Sequence, residues 1–131
     1  MAHLPTLPRK LNPYQNHKFH LLLNGKTVAA FKKLATMRSG KIVLQQGVTL
    51  NSKFNTWAKN APVKPQHIRR NLTIKEFNDA GKILATINIR QSWISNYTSA
   101  PPLNAKGDDV EIQEITIEAE GVEGVDSDES P

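Results

Sequence analysis

The sequence of 131 residues has no cysteine, no long apolar run and no acidic residue before Glu76. The lack of cysteine excludes disulfide bonds and thiolate metal sites. No apolar segment approaches the roughly 20 residues that a membrane-spanning helix needs, so we expect no membrane anchor. Arg9 and Lys10 follow the apolar residues at the start of the chain, the reverse of the order in a secretory signal. We therefore expect a protein without a signal peptide, made and kept in the cytosol or leaving it without the general secretory route.

The two halves of the sequence carry opposite charge. Residues 1–75 contain 14 lysines and arginines and no acid, whereas residues 76–131 contain all 12 acids and three basic residues. The resulting charges of +14 and −9 give the net charge of +5. Two interpretations follow: the basic half contacts nucleic acid, or the halves complement each other, within one fold or between neighbouring subunits. We favour complementarity, because basic charge without stacking aromatics is a weak indication of nucleic-acid binding.

Alternating apolar residues and turn sequences predict a chain made mainly of β-strands. Asn24-Gly25 separates two apolar runs, which is the pattern of a two-residue hairpin turn with positive φ at both residues. A third strand is predicted over residues 41–46. Residues 68–77 and 82–93 alternate around a turn and predict a second antiparallel hairpin.

One short helix is predicted directly after the third strand. Leu50, Phe54, Trp57 and Ala61 recur at helical spacing and form an apolar stripe, and Asn51 is a favourable N-cap. A helix this short is unstable alone, so we expect the stripe to pack on the sheet. Trp93 continues the apolar alternation of its own strand. The predicted core of this motif is therefore Leu50, Phe54, Trp57 and Trp93.

The last strand is predicted over residues 110–120 and changes face in its middle. Val110 and Ile112 follow one alternation, whereas Ile115 and Ile117 follow the other. This slip of one residue predicts a β-bulge at Gln113-Glu114. The opposite face presents an acidic stripe: Glu111, Glu118 and Glu120.

Strands dominate these predictions, with a single helix beside them. The fold class is therefore mainly β, a small antiparallel β-barrel or sandwich with one short flanking α-helix. We place this domain at residues 18–121. Residues 1–17 are rich in proline and polar residues and predict an extended N-terminal arm. Residues 122–131 predict an acidic, disordered C-terminal tail.

No pattern in the sequence indicates catalysis. The glycines are dispersed, so there is no phosphate-binding loop, and no serine lies in a nucleophile elbow. His17 and His20 would lie on opposite faces of a strand, and Asp108-Asp109 lies in a turn beside glycine, so neither pair predicts a metal site. Arg69 and Arg70 are adjacent in a strand and point to opposite faces. We predict no enzyme activity, no cofactor and no metal.

Several motifs occur in an order that resembles one known family. They are Gly-Val-Thr at 47–49 with Phe54 and Trp57, then Arg69-Arg70, then the turn with Asp79 and Gly81, then Pro101, Leu103, Ala105, Gly107 and Asp108, and finally Gln113-Glu114 in the last strand. This order is similar to that of the tail tube proteins of T-even-type contractile phages and the inner tube proteins of phage-derived contractile injection systems. The resemblance covers residues 41–121 and extends over residues 18–37.

The resemblance implies a β-barrel-like subunit that forms hexameric rings, which stack head to tail into a tube inside a contractile sheath. It implies several partners: further copies of the chain, a sheath protein, baseplate and tail-terminator proteins, and DNA or protein cargo in the lumen of a virion tail or injection particle. Ring or lumen electrostatics would involve Arg69, Arg70, Glu111, Glu118 and Glu120. Two alternatives remain, a tube-initiator or adaptor ring of the same machine and a small basic nucleic-acid-binding β domain using residues 9–75.

Overall fold

The computed structural model describes residues 14, 16–62, 69–102 and 110–126 of the chain. Six strands and one helix follow in the order β1 Phe19–Leu23, β2 Lys26–Arg38, β3 Lys41–Thr49, α1 Ser52–Asn60, β4 Arg70–Phe77, β5 Ile83–Pro102 and β6 Val110–Asp126. The predicted mainly β class with one short helix is confirmed. Within the described part of the chain, no helix is long and apolar enough to cross a membrane.

The strands close into an antiparallel barrel in the order β1-β2-β3-β6-β5-β4. Two tight turns build its first part. Asn24 and Gly25 have φ values of 55° and 78°, and Ser39 and Gly40 have values of 54° and 75°. Positive φ at both central residues is what a type I′ hairpin turn requires, so the hairpin predicted from Asn24-Gly25 is confirmed.

Apolar side chains from the strands and the helix fill the interior of the barrel. The largest of them are fully buried and include Phe31, Leu44, Phe54, Ile74 and Ile117. A barrel of this size has room only for its own side chains. The interior of the barrel is therefore a packed core and not a channel.

The helix α1 packs on the barrel at the end of β3. The Asn51 side chain caps it, because its Oδ1 accepts a hydrogen bond from the Phe54 backbone N–H at 2.8 Å. Phe54 and Ala58 are buried, whereas Leu50 and Trp57 are half-buried. Phe54 is therefore a core residue as predicted, while Trp57 packs against the core from its rim and Leu50 lies ahead of the helix.

Trp93 lies outside the core, contrary to the prediction. Gln91 has a φ of 52°, and the register of β4 against β5 shifts between Arg70 and Leu72. Ile89 is buried before this irregularity, and Ser92 and Ile94 are buried after it. The alternation has slipped by one residue, so Trp93 faces outward. Gln91 is a polar residue within the apolar alternation of this strand, and Ile94 is in the opposite phase, so the sequence carries a sign of the slip that the prediction did not use.

The strand β6 contains the predicted bulge and is longer than predicted. Thr98 pairs with Glu114 and Ser99 pairs with Ile112, so Gln113 is an extra residue. The strand continues to Asp126, which pairs with Ala85. Residues 122–126 are therefore ordered strand and not the predicted disordered tail. The reason is that β5, with 20 residues, is long enough to pair with β6 as far as Asp126. Residues 127–131 lie outside the described residues.

Most of the predicted N-terminal arm, residues 1–13 and 15, also lies outside the described residues. Tyr14 is described and is attached to the barrel. Its hydroxyl donates to the Val28 carbonyl at 3.4 Å and accepts from the Leu50 backbone N–H at 3.0 Å. The end of the arm thus contacts β2 and the residues that lead into α1.

Candidate assembly site

Four strand segments form a continuous antiparallel sheet on one side of the barrel. We call it the four-strand face: residues 32–38 of β2, 41–45 of β3, 114–118 of β6 and 93–98 of β5, side by side in that order. These segments of β2 and β5 extend beyond the closed part of the barrel. Among the described residues, neither has a strand on its outer side.

The inward side of the four-strand face carries apolar rows that run across the strands. One row contains four residues that lie side by side on β2, β3, β6 and β5: Met37, Ile42, Ile117 and Ile94. The three isoleucines are fully buried, whereas Met37 is 46% exposed. Met37 therefore ends an otherwise buried apolar row at an uncovered edge of the sheet.

The outward side of the four-strand face is polar and its charges are sorted by strand. The basic residues lie on β2 and β3, and we call Lys33, Arg38 and Lys41 the basic column. The acidic residues lie on β6, and we call Glu111, Glu114, Glu118 and Glu120 the acidic column. Lys41 pairs with Glu118, and Gln45 lies between Lys33 and Glu114. The outward side thus presents two parallel columns of opposite charge.

Glu114 belongs to the acidic column, although the sequence prediction omitted it. The bulge at Gln113 places Ile112 and Ile115 on the buried side and leaves Glu114 outward with Glu111 and Glu118. Its Oε1 accepts a hydrogen bond from Gln45 Nε2 at 3.0 Å. The predicted bulge was the feature from which this position could have been found.

Both lateral edges of the four-strand face are open. The strand β1 pairs with β2 only as far as Phe31, so no strand of the described part of the chain lies beside residues 32–38 of β2 on that side. The strand β4 pairs with β5 only as far as Ser92, which leaves residues 93–102 without a strand neighbour there among the described residues. Such edges carry unpaired backbone N–H and C=O groups.

The helix approaches the open β5 edge through side chains. The Tyr97 hydroxyl donates to Asn55 Oδ1 at 2.7 Å, and its ring lies edge-on to Phe54 with 6.4 Å between centroids. Burial of the phenol raises the pKa of Tyr97 far above its ordinary value. Tyr97 is therefore a neutral hydrogen-bond donor that holds α1 beside β5. This contact uses side chains, so it leaves the backbone groups of the open β5 edge unpaired by the helix.

The two adjacent arginines each lie over one of the two tryptophans. The Arg69 guanidinium is 4.4 Å from the centre of the Trp93 ring, and its Nη1 bonds Glu120 Oε2 at 2.7 Å on the surface. The Arg70 guanidinium is 5.2 Å from the Trp57 ring, at the rim of the helix. The two arginines therefore contact different tryptophans, one on β5 and one on the helix. The structure adds their aromatic partners, which the strand pattern did not reveal.

The described residues contain no group of three or more acidic or histidine side chains that could hold a metal ion. Asp108 and Asp109, which the sequence analysis considered, lie outside the described residues. The features that stand out in the described part of the chain are strand edges and sorted charges. Both are properties of a surface for assembly.

Comparison with known proteins identifies the family. The sequence model of the T4-like virus tail tube protein gp19 matches residues 23–123. No curated protein sequence matches the chain. Among solved structures, Hcp1 from Flavobacterium johnsoniae is 14% identical with a TM-score of 0.51, covering 82% of this chain and 94% of that one. A chain of the six-fold symmetrised anti-feeding prophage baseplate is 13% identical with a TM-score of 0.51, covering 95% and 99%.

At 14% and 13% sequence identity, these two structures show a similar fold and nothing further about this chain. Their similarity agrees with the barrel described above. The family match spans the strands from the end of β1 into β6, including the four-strand face. The chain therefore belongs to the T4-like tail tube protein family, and it is a structural protein and not an enzyme.

Proposed function

We propose that this protein forms hexameric rings that stack into the inner tube of a contractile phage tail or injection system. The tube conducts DNA or protein cargo. The observation that carries the proposal is the pair of open edges on the four-strand face. Membership of the tail tube family supports the tube, and the resemblance noted in the sequence supports the number six.

The open edges suit a ring because their directions match. Neighbouring strands of the four-strand face alternate in direction, so β2 and β5, at its two ends, run antiparallel to each other. A second copy placed with its β2 beside β5 continues the antiparallel order. This contact joins two different surfaces, and repeated contacts of that kind close into a ring when the rotation allows it.

In such a ring the outward side of the four-strand face lines the lumen. It is the polar side, so water and cargo meet the acidic and basic columns and not the apolar rows. Each subunit would contribute both columns, and the lumen would alternate in charge around its circumference. Cargo then finds no continuous surface of one sign to which it could adhere.

The ends of the strands, in contrast to their edges, face the neighbouring rings. The opposite charges of the two halves of the sequence support a stack held by complementary ends. Sheath, baseplate and tail-terminator proteins are the proposed partners outside and at the ends of the tube. We place the protein in the virion tail or injection particle.

Met37 provides the test of the ring. It is already exposed in the single subunit, so Met37→Lys should leave the melting temperature of the monomer unchanged. In the ring the charge would be buried against β5 of the next copy. We expect negative-stain microscopy and sedimentation to show rings or tubes for the natural protein and only monomers for Met37→Lys.

Met37→Leu is the matched control, because it keeps an apolar side chain of similar volume at the edge. It should form rings as the natural protein does. Rings that are equally abundant with Met37→Lys would contradict the proposed edge contact. A natural protein that stays monomeric at high concentration, even with a baseplate partner present, would contradict the tube function itself.

We further propose that this chain is the repeating tube subunit and not an initiator or adaptor ring. Counting its copies in intact particles by quantitative mass spectrometry distinguishes the two roles. A repeating subunit should be present in tens of copies or more, in proportion to sheath protein. A single ring's worth of copies would assign it to the initiator or adaptor.

A further inference from the structure

A basic cavity lies at the end of the barrel where the turn between β1 and β2 meets α1. Its volume is about 290 Å³, and its lining includes Lys26, Lys53, Arg70, Asn51 and Trp57. The cavity is separate from the four-strand face, and neither the ring contact nor the proposed lumen uses it.

No acidic side chain of the described residues lines the cavity. All its described lining residues lie between 23 and 70, in the half of the sequence that contains no acid. Lys26 and Lys53 are exposed at its rim and form no ion pair; the one ion pair of the described lysine, arginine and acidic side chains joins Arg69 to Glu120. Arg70 Nε is buried and has no hydrogen-bond partner among the described residues. A buried N–H group is normally paired, so an acceptor is missing beside it.

The acidic end of the described chain lies at the opposite end of the barrel. Strand β1 pairs Leu23 with Leu72 at the cavity end and Phe19 with Glu76 at the far end. At that far end β6 finishes, where Asp126 pairs with Ala85. Asp128 and Glu129 then follow within three residues of the strand.

Residues 126–129 of the same subunit have no direct path to the cavity. The strand β6 runs away from it, and three residues of extended chain span only about 10 Å. To enter the cavity, the segment would have to reverse direction and run back along the barrel. An adjacent subunit stacked end to end brings the same segment directly to the cavity.

We propose that the cavity binds the carboxylates of residues 126–129 from a second copy of this chain in the adjacent ring. This inference rests on the proposed tube and adds the contact that sets its stacking. The carboxylates accept hydrogen bonds from Arg70 Nε and ion-pair with Lys26 and Lys53. The contact joins unlike ends of the barrel, so it repeats without closing and gives a stack of one polarity.

The cysteine-free chain allows a direct test by disulfide cross-linking. Ser52→Cys places a thiol beside Asn51 and Lys53, and Ser127→Cys places one within the acidic segment. The two single variants are mixed, assembled and oxidised. We expect disulfide-linked dimers that join one copy of each variant, with ladders of linear multimers when both substitutions are in one chain. Ala80→Cys, at the far end of the barrel, is the control and should not link to Ser127→Cys.

Charge variants then test the chemistry of the cavity. Lys26→Gln with Lys53→Gln should lower the cross-linking yield by about tenfold, as expected when charge-assisted contacts are lost. Reversal of the same two lysines to Glu should stop stacking while rings still form. Reversing Asp126, Asp128 and Glu129 to Lys in that chain should restore tubes.

The outcomes separate this inference from the function on which it rests. Tubes without the Ser52–Ser127 cross-link, or a cross-link that is insensitive to the lysine changes, would overturn the cavity contact and leave the tube intact. Loss of stacking with Asp108→Asn and Asp109→Asn, but not with changes at residues 126–129, would assign the cavity to acids of its own chain and overturn the contact as well. The absence of both rings and tubes would overturn the proposed function together with the inference.

Discussion

Gly47 shows how one residue without a side chain permits the packing of the barrel. It lies opposite Phe31 in the pairing of β2 with β3, and Phe31 is fully buried. A Cβ atom at this position would overlap the Phe31 ring and lie 2.7 Å from the Ala30 carbonyl oxygen. The glycine of the Gly-Val-Thr motif is therefore required by close packing and not by a turn.

We expect Gly47→Ala to lower the free energy of unfolding by about 1–3 kcal/mol, because a buried aromatic ring must move to admit the methyl group. Urea denaturation followed by circular dichroism measures it. The matched control is Gly124→Ala in β6, where nothing lies within 4 Å of the added Cβ. Equal stability of the two variants would mean that Phe31 repacks without cost.

His20 makes stability depend on pH. Its ring packs against Phe77 in a tilted contact with 4.6 Å between centroids, and its Nε2 is 3.0 Å from the Tyr14 carbonyl oxygen. Burial lowers the pKa of His20 below its ordinary value of 6.5, although hydrogen bonds to the backbone of Tyr14 and His17 partly offset this. The folded protein therefore binds the imidazole proton more weakly than the unfolded chain does.

The sign follows from proton linkage. Between pH 6.5 and the lowered pKa of His20, the unfolded state binds more protons, so stability rises with pH and is lost as pH falls. We expect the urea midpoint to fall from pH 7 to pH 5. His20→Gln cannot titrate and should show a flatter profile. The same slope in both proteins would assign the effect to another group.

At the scale of elements, α1 is attached to the barrel chiefly by Phe54. This residue is 2% exposed and touches Tyr97 and Trp57 in edge or tilted ring contacts. Trp57 is half-buried and shares its outer face with Arg70. The helix is short, so its stability depends on these contacts more than on its own hydrogen bonds.

Phe54→Ala should therefore cost about 3–5 kcal/mol of unfolding free energy, the range for a fully buried aromatic. Trp57→Ala should cost about 2 kcal/mol, because part of its ring is in water in the folded state and only a cation–π contact is added. Thermal and urea denaturation of both variants gives the comparison. A larger loss for Trp57→Ala would reverse the assignment of the helix anchor.

At the scale of the whole molecule, the surfaces for the proposed contacts lie on different sides of the barrel. The lateral edges of the four-strand face are open, its polar side carries the charge columns, and the strand ends carry the basic cavity and the acidic segment. The three proposed contacts, to ring neighbours, to cargo and to the next ring, would therefore use different residues.

The charge columns give a prediction at this scale. Replacing Glu111, Glu118 and Glu120 with Lys should leave the melting temperature nearly unchanged, because these groups lie on the surface and the one ion pair involved is exposed. Assembly or passage of cargo should be impaired, since Glu114 would be the one acid left in the acidic column and the proposed lumen would become mainly basic. Particle delivery assays measure passage, and microscopy measures assembly.

Reversal of Lys33, Arg38 and Lys41 to Glu is the matched control for that change, as it makes the lumen uniformly acidic. Normal tubes with normal delivery in the acid-to-lysine variant would contradict a lumen position for the acidic column. If both variants impair delivery, the result would indicate that passage of cargo requires alternating charge in the lumen. A lumen of either single sign would then be unsuitable.

The sequence by itself determined those features that depend on neighbours along the chain. Asn24-Gly25 specified a hairpin, Asn51 specified the start of the helix, and the shift from Ile112 to Ile115 specified the bulge in β6. In each case the backbone conformation follows from a few adjacent residues. The same local patterns, taken in order, were sufficient to indicate the tail tube family.

Only the tertiary structure decided what depends on partners distant in sequence. Trp93 turned outward because β5 slips at Gln91 against β4, and residues 122–126 formed strand because β5 is long enough to pair with them. The open edges, the basic cavity and the pairing of each arginine with a tryptophan likewise require residues far apart in the chain to meet. An alternating pattern fixes which residues share a face, but the register between strands fixes which face is buried and which edge remains free for assembly.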